Sequence, residues 1–197
     1  MEQALAFIHE VDKLKGILRK TKNIHVDRLE NSAEHSWHLC LMAMVLAPHS
    51  VKQIDLPHVL KMLIVHDIVE IDAGDVIVYD DALRESKRAL ELAASDRIFG
   101  LLEPTQGTEL RTLWDEFEAQ QTPESQFAAA LDRAEPILCN LKHQGLTWKE
   151  NGVTYEKVLS RNAFMGDIIP ELWAHISSEL DKGRDLGFFA PSATTTL

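Results

Sequence analysis

The sequence predicts an all-α protein of one domain, and three observations carry that reading. Apolar residues recur at three- and four-residue spacing through most of the chain, proline and glycine punctuate the segments, and no stretch shows the convincing apolar/polar alternation of a half-buried strand. At 197 residues the chain can build one substantial core, whereas two independent domains would leave each half small.

Taken in order, Ala4, Leu5, Ile8, Val11 and Leu14 to Leu18 predict a first amphipathic helix over residues 2–20. A polar connection, TKNIHVDRLE, follows. Asn31 with Glu34 three residues on has the form of a capping box, and it opens a second helix that runs to Ala47, where Pro48 ends it. Asp55-Leu56-Pro57 opens a third, because proline has no partner to lose in a first helical turn, and Gly74 marks its end. Residues 81–103, 108–120, 123–143 and 154–182 read as further helices, separated by Pro104, Gly107, Pro123, Gly145 and Gly152. The domain is expected to span residues 1–186, with 187–197, GFFAPSATTTL, as a loose C-terminal tail whose Phe188 and Phe189 dock on the core.

Composition narrows the function. Twenty basic against 31 acidic residues give a formal charge of -11, which repels a phosphate backbone and argues against a nucleic-acid polymer as partner. A small phosphorylated ligand stays open, since local cations or a metal override the net field at close range. No apolar run approaches the roughly 20 residues of a membrane span, and MEQALAFIHEVDKLK lacks the features of a secretory signal, so a cytoplasmic location is expected. Cys40 and Cys139 sit in apolar surroundings and read as reduced core residues.

Leu63 to Asp75, LIVHDIVEIDAGD, contains a conflict. Its apolar residues ask for burial, yet it carries His66, Asp67, Glu70 and Asp75, and buried carboxylates need a paired cation. On a helix His66 and Asp67 lie about 100° apart and lean toward one point on the flank between them. Glu70 falls on the same flank a turn later. Further metal ligands must come from other helices. His35, in ENSAEHSWHL, and Asp132, in FAAALDRAEPIL, interrupt two such helices in the same way. Singly each is most simply a satisfied core residue; their order along the chain makes the combination specific.

That order resembles the HD-domain metal-dependent phosphohydrolases, and more closely the branch similar to 5'-deoxynucleotidases. The matching motifs are ENSAEHS at 30–36, VHDIVEIDAGD at 65–75 and ALDRAEPIL at 130–138, within a resemblance covering about residues 12–180. It implies an HD-type helical bundle, often dimeric, with His35, His66, Asp67 and Asp132 as metal ligands. It further implies catalytic roles for Glu70 and Asp75, with Arg19, in LKGILRKTK, contacting phosphate and Asp75 also placed to hold the substrate sugar. Deoxy-selective relatives carry a tryptophan close after that arginine, where this sequence has Lys20, Thr21 and Lys22, so no preference against ribose is carried over.

A mixed nitrogen and oxygen ligand set suits Mn, Fe, Co, Ni, Cu or Zn better than Ca or Mg. The expected activity is release of phosphate from (deoxy)nucleoside 5'-monophosphates, with a homodimer as the expected assembly. Two alternatives remain: a phosphodiesterase or pyrophosphohydrolase of the same superfamily, acting on a signalling nucleotide or a nucleoside triphosphate, and a non-catalytic binding module with a structural metal.

Overall fold

The computed structural model describes residues 1–76, 79 and 81–191, the side chains of 81–86 excepted. The chain opens with α1 (Glu2–Val11) and a 3₁₀ turn at Asp12–Gly16, followed by an antiparallel ribbon of β1 (Leu18–Lys22) and β2 (Leu29–Asn31). Helices then succeed one another: α2 (Ser32–Leu46), α3 (Leu56–Val65), the short α4 (Glu70–Ala73), α5 (Asp81–Phe99), α6 (Pro104–Ala119) and α7 (Pro123–Lys142). The last are α8 (Leu146–Glu150), α9 (Tyr155–Asn162) and α10 (Pro170–Asp185). The all-α reading holds, with the small ribbon added.

Four expectations need correction. The first helix stops at Val11 rather than residue 20; Ile17 is extended and its carbonyl accepts from Ser32 N–H, which starts the ribbon. The ribbon went unseen because its alternation is inverted. Arg19, Thr21 and Glu30 face inward, while Leu18 and Leu29 face solvent.

The third helix does not run through to Gly74. After Val65 the bonds tighten to i→i+3, with Ile68 N–H on Val65 O and Glu70 N–H on Asp67 O, so His66 to Val69 form a turn between α3 and α4. Residues 154–182 are likewise two helices, since Pro170 opens α10 after a 3₁₀ turn at Ala163–Asp167.

The core lies in two adjoining clusters. Leu39, Met62, Leu63, Leu131 and Ile176 bring α2, α3, α7 and α10 together, and Val65, Val69, Ile98 and Trp114 bind the second cluster beneath α5 and α6. The His66–Val69 turn occupies the seam between them. Burial of the residues on both sides holds polar side chains where propensity alone would not.

Residues 188–190 are docked. Phe189 stacks on Trp148 with ring centroids 4.7 Å apart, and Ala190 N–H bonds Val153 O. Gly145, at φ +71°, permits this approach: a Cβ there would stand 1.7 Å from the Phe188 carbonyl oxygen. The rest of the expected tail, 192–197, lies outside the described residues.

Candidate metal centre

Local sequence delivers each side chain. At the start of α2 the Asn31 side chain accepts from Glu34 N–H (3.0 Å) and Glu34 accepts from Asn31 N–H (2.8 Å), a complete capping box that places His35 one turn inside. Arg28 grips both Glu34 oxygens, so Arg28 braces the cap. On α7, Pro136 removes the helical hydrogen bond to the carbonyl of Asp132, loosening the helix beside that residue.

The structure brings four of the expected ligand residues to one place. His35 Nε2 lies 3.1 Å from Asp132 Oδ1, and His66 Nε2 lies 3.8 Å from the same oxygen and 3.1 Å from Asp67 Oδ1. Ligand atoms of His35, His66 and Asp132 fall within 4.8 Å of one another. His66 Nδ1 sits 2.8 Å from the Leu63 carbonyl, which only accepts, so the proton of a neutral ring belongs there and Nε2 keeps its lone pair. Buried Nε2 of His66 has no hydrogen-bond partner among the described residues. The lone pair of His66 Nε2 and the carboxylate oxygens converging beside it fit a divalent cation of the nitrogen- and oxygen-binding kind.

Electrostatics give the same reading. Burial and Arg19 would lower the His35 imidazole, but Asp132, Glu135 and Glu30 outweigh them and push it well above its ordinary value of 6.5. His66 is raised too, burial opposing and Asp67 and Asp132 prevailing. Burial would raise Asp132, yet the two imidazoles hold its carboxyl well below the usual range. The carboxylates thus favour positive charge at the imidazoles, and a bound cation would meet the same demand.

Around it stand the remaining expected residues. Arg19 lies on β1 and is 8% exposed. Its Nη1 donates to Asp67 Oδ2 at 3.0 Å and approaches Asp75 at 4.0 Å, and Nη2 lies 3.9 Å from Asp132. Asp75 follows Gly74, whose φ of +72° and ψ of 166° only glycine adopts readily, and its Oδ2 accepts from Lys20 N–H. Glu70 is pushed up to about 8, first by burial and then by Asp67 and Asp75, with Arg19 and Lys87 opposing.

Four neighbours escaped the sequence reading. Ser32 Oγ donates to Glu70 Oε2 at 2.7 Å, Lys87 Nζ lies 3.4 Å from Glu70 Oε1, and Glu30 and Glu135 flank His35 Nδ1 at 3.1 and 3.4 Å. Ser32 and Glu30 lay inside the quoted ENSAEHS motif without a role assigned to them, and their burial shows only in the fold. Lys87 carried no signal, since ALRESKRALEL resembles any charged surface helix. A cavity of about 270 Å³ opens onto this group, lined by His66, Asp67, Asp132, Arg19, Lys87 and Trp148.

A family model for the HD domain matches residues 11–173. The chain is 31% identical over 144 residues to a 5'-deoxynucleotidase of Xenopus laevis, covering 72% of this chain and 70% of the relative. It is likewise 31% identical to the human 5'-deoxynucleotidase over 147 residues, covering 74% and 70%. A crystal structure of a predicted metal-dependent phosphohydrolase from Magnetospirillum magnetotacticum superposes with a TM-score of 0.90 at 42% identity, over 96% of this chain and 95% of that one. An HD-domain phosphohydrolase from Listeria innocua shares the fold, with a TM-score of 0.63 at 16% identity, over 91% and 98%. With its histidines and aspartates gathered around one point and this match over most of its length, the chain belongs to the HD-domain phosphohydrolase family.

Proposed function

We propose that this protein hydrolyses nucleoside 5'-monophosphates, deoxyribonucleotides among them, to nucleoside and phosphate, using a divalent transition metal held by His35, His66, Asp67 and Asp132. The observation that carries the reading is the convergence of both Nε2 atoms and the Asp132 carboxylate beside a buried arginine at the wall of an open cavity. The names of the 5'-deoxynucleotidase relatives support the substrate class.

Held by His35, His66, Asp67 and Asp132, such a metal would lower the pKa of water far enough to make hydroxide available near neutral pH and would screen phosphate charge. Arg19 presents Nη1 and Nη2 toward the site and draws the phosphate dianion into line. Glu70, held at Oε2 by Ser32, carries a proton near neutral pH and delivers it to the leaving sugar oxygen as a general acid. Asp75, anchored by Lys20 N–H, holds the sugar or the attacking water. A closed structural site would have no use for a protonated Glu70 or for the cavity.

We further place the protein in the cytoplasm as a homodimer, with residues 1–186 as its one domain. No helix among the described residues is long and apolar enough to cross a membrane. Trp37, Leu41, Met44 and Val45 form an exposed apolar stripe along α2, a face suited to a second copy.

The test is phosphate release by metal-stripped protein reloaded separately with Mn, Co, Zn or Mg. Substrates are paired ribo- and deoxyribonucleoside mono-, di- and triphosphates, with Asp67→Ala as control. Metal-dependent release confined to monophosphates is expected; pyrophosphate from triphosphates, or no product, would overturn the proposal.

A further inference from the structure

We infer that Glu30 is a positioning residue that ties the phosphate-binding guanidinium of Arg19 to the metal-ligating imidazole of His35, so that one carboxylate aims both. The inference rests on the metal site and the phosphate role proposed above.

The ribbon creates the contact. Leu18 pairs with Asn31 across β1 and β2, which sets the next inward residues, Arg19 and Glu30, side by side on the buried face. Glu30 is 3% exposed, and its Oε2 stands 3.3 Å from Arg19 Nε and 3.1 Å from His35 Nδ1. None of the three atoms makes a well-aligned hydrogen bond among the described residues; Glu30 Oε2 holds Arg19 Nε and His35 Nδ1 by charge and proximity, and Nδ1 also faces Glu135 Oε2 at 3.4 Å. A carboxylate so deeply buried is tolerable only beside such donors.

The consequence is directional. Nε of Arg19 is occupied by Glu30, which leaves Nη1 and Nη2 turned toward Asp67 and Asp132. Nδ1 of His35 faces the same oxygen, which leaves Nε2 turned toward Asp132. Glu135 provides the contrast. Its Oε2 also approaches His35 Nδ1, at 3.4 Å, and its Oε1 accepts from Cys139 Sγ and faces His38 Nδ1 at 3.6 Å; among the described ion pairs it has none with Arg19. Glu135 therefore orients the imidazole alone, while Glu30 orients both groups.

The experiment uses the full chain and measures binding by calorimetry, without turnover. Mn²⁺ is titrated into metal-stripped protein, and inorganic phosphate into Mn²⁺-saturated protein, for wild type, Glu30→Gln, Glu30→Asp and Glu135→Gln. Loss of a residue that orients a ligand histidine weakens metal affinity about 10- to 100-fold, which is expected for all three variants. Inorganic phosphate binding should weaken several-fold in both Glu30 variants and stay at the wild-type level in Glu135→Gln. Wild-type Mn²⁺ affinity in the Glu30 variants, or weakened Mn²⁺ affinity with unchanged phosphate affinity, would overturn the inference. Should Glu30→Gln not fold, Glu30→Asp keeps the charge but withdraws the oxygen and must show the same split. A wild-type protein that binds no Mn²⁺ would instead remove the metal site on which this rests.

Discussion

Ser32 and Glu70 meet across 2.7 Å, the Oγ of the first residue of α2 donating to the carboxylate that opens α4. The bond fixes one oxygen of Glu70 and leaves the other toward Lys87 and the cavity. Glu70→Gln is expected to retain metal while turnover falls about 10²- to 10⁴-fold, the usual weight of a general acid. Ser32→Ala, which frees the carboxylate without removing it, should show a smaller loss. Metal content by elemental analysis beside kcat checks both, and full activity in Glu70→Gln would remove it from the mechanism.

Stability should depend on pH in opposite ways with and without metal. His35 and His66 are raised above their ordinary 6.5, and Glu70 from 4.5 to about 8, so the metal-free native state holds protons that the unfolded chain has released. The native state then loses stability as pH rises, from 4.5 through about 8 for Glu70 and above 6.5 for the imidazoles. Thermal melts of stripped protein should give a lower Tm at pH 8 than at pH 6. Added Mn²⁺ should raise Tm more at pH 8, where it does not compete with those protons. A stripped protein that is more stable at pH 8 would contradict this assignment.

Arg19 is the buried counter-charge for Glu30, Asp67, Asp75 and Asp132. Its replacement by methionine leaves carboxylates uncompensated, a change that typically costs about 3–5 kcal/mol. Denaturant unfolding of metal-stripped Arg19→Met should show a loss of that size, partly restored by metal. An unaltered midpoint would mean that the acids are neutralised some other way.

Gly74 turns the chain at φ +72° with open space where a Cβ would go, so its role is conformational rather than one of packing. Gly74→Ala should cost about 1 kcal/mol or more and shift Asp75 away from Lys20 N–H. Paired unfolding and kinetic measurements should show a loss of turnover beyond what stability explains. Unchanged kinetics would separate Asp75 from the reaction.

Much of the helical framework was legible because its signals are local. Asn31 and Glu34 cap α2 as their spacing requires, and Pro123 opens α7 behind the Thr122 cap. Asp55 likewise caps α3 ahead of Pro57. The failures share a cause. Leu14 to Leu18 continue a helical spacing, but Arg19 reaches its buried acidic partners, and Thr21 turns inward, on an extended strand, and that long-range gain overrides local propensity. Exposed Leu18 and Leu29 then give the ribbon an inverted pattern that no rule of apolar-in, polar-out detects.

The sequence by itself determined the helical class, most helix starts, and the identity of His35, His66, Asp67, Glu70, Asp75 and Asp132 as polar residues in apolar settings. Those are properties of composition, spacing and caps, which act within a few residues. Only the tertiary structure decided that α3 breaks at His66, that Arg19 is buried among four acids, and that Glu30, Ser32 and Lys87 join the site. These depend on charges brought together from distant segments, whose burial is tolerable only when all of them are in place.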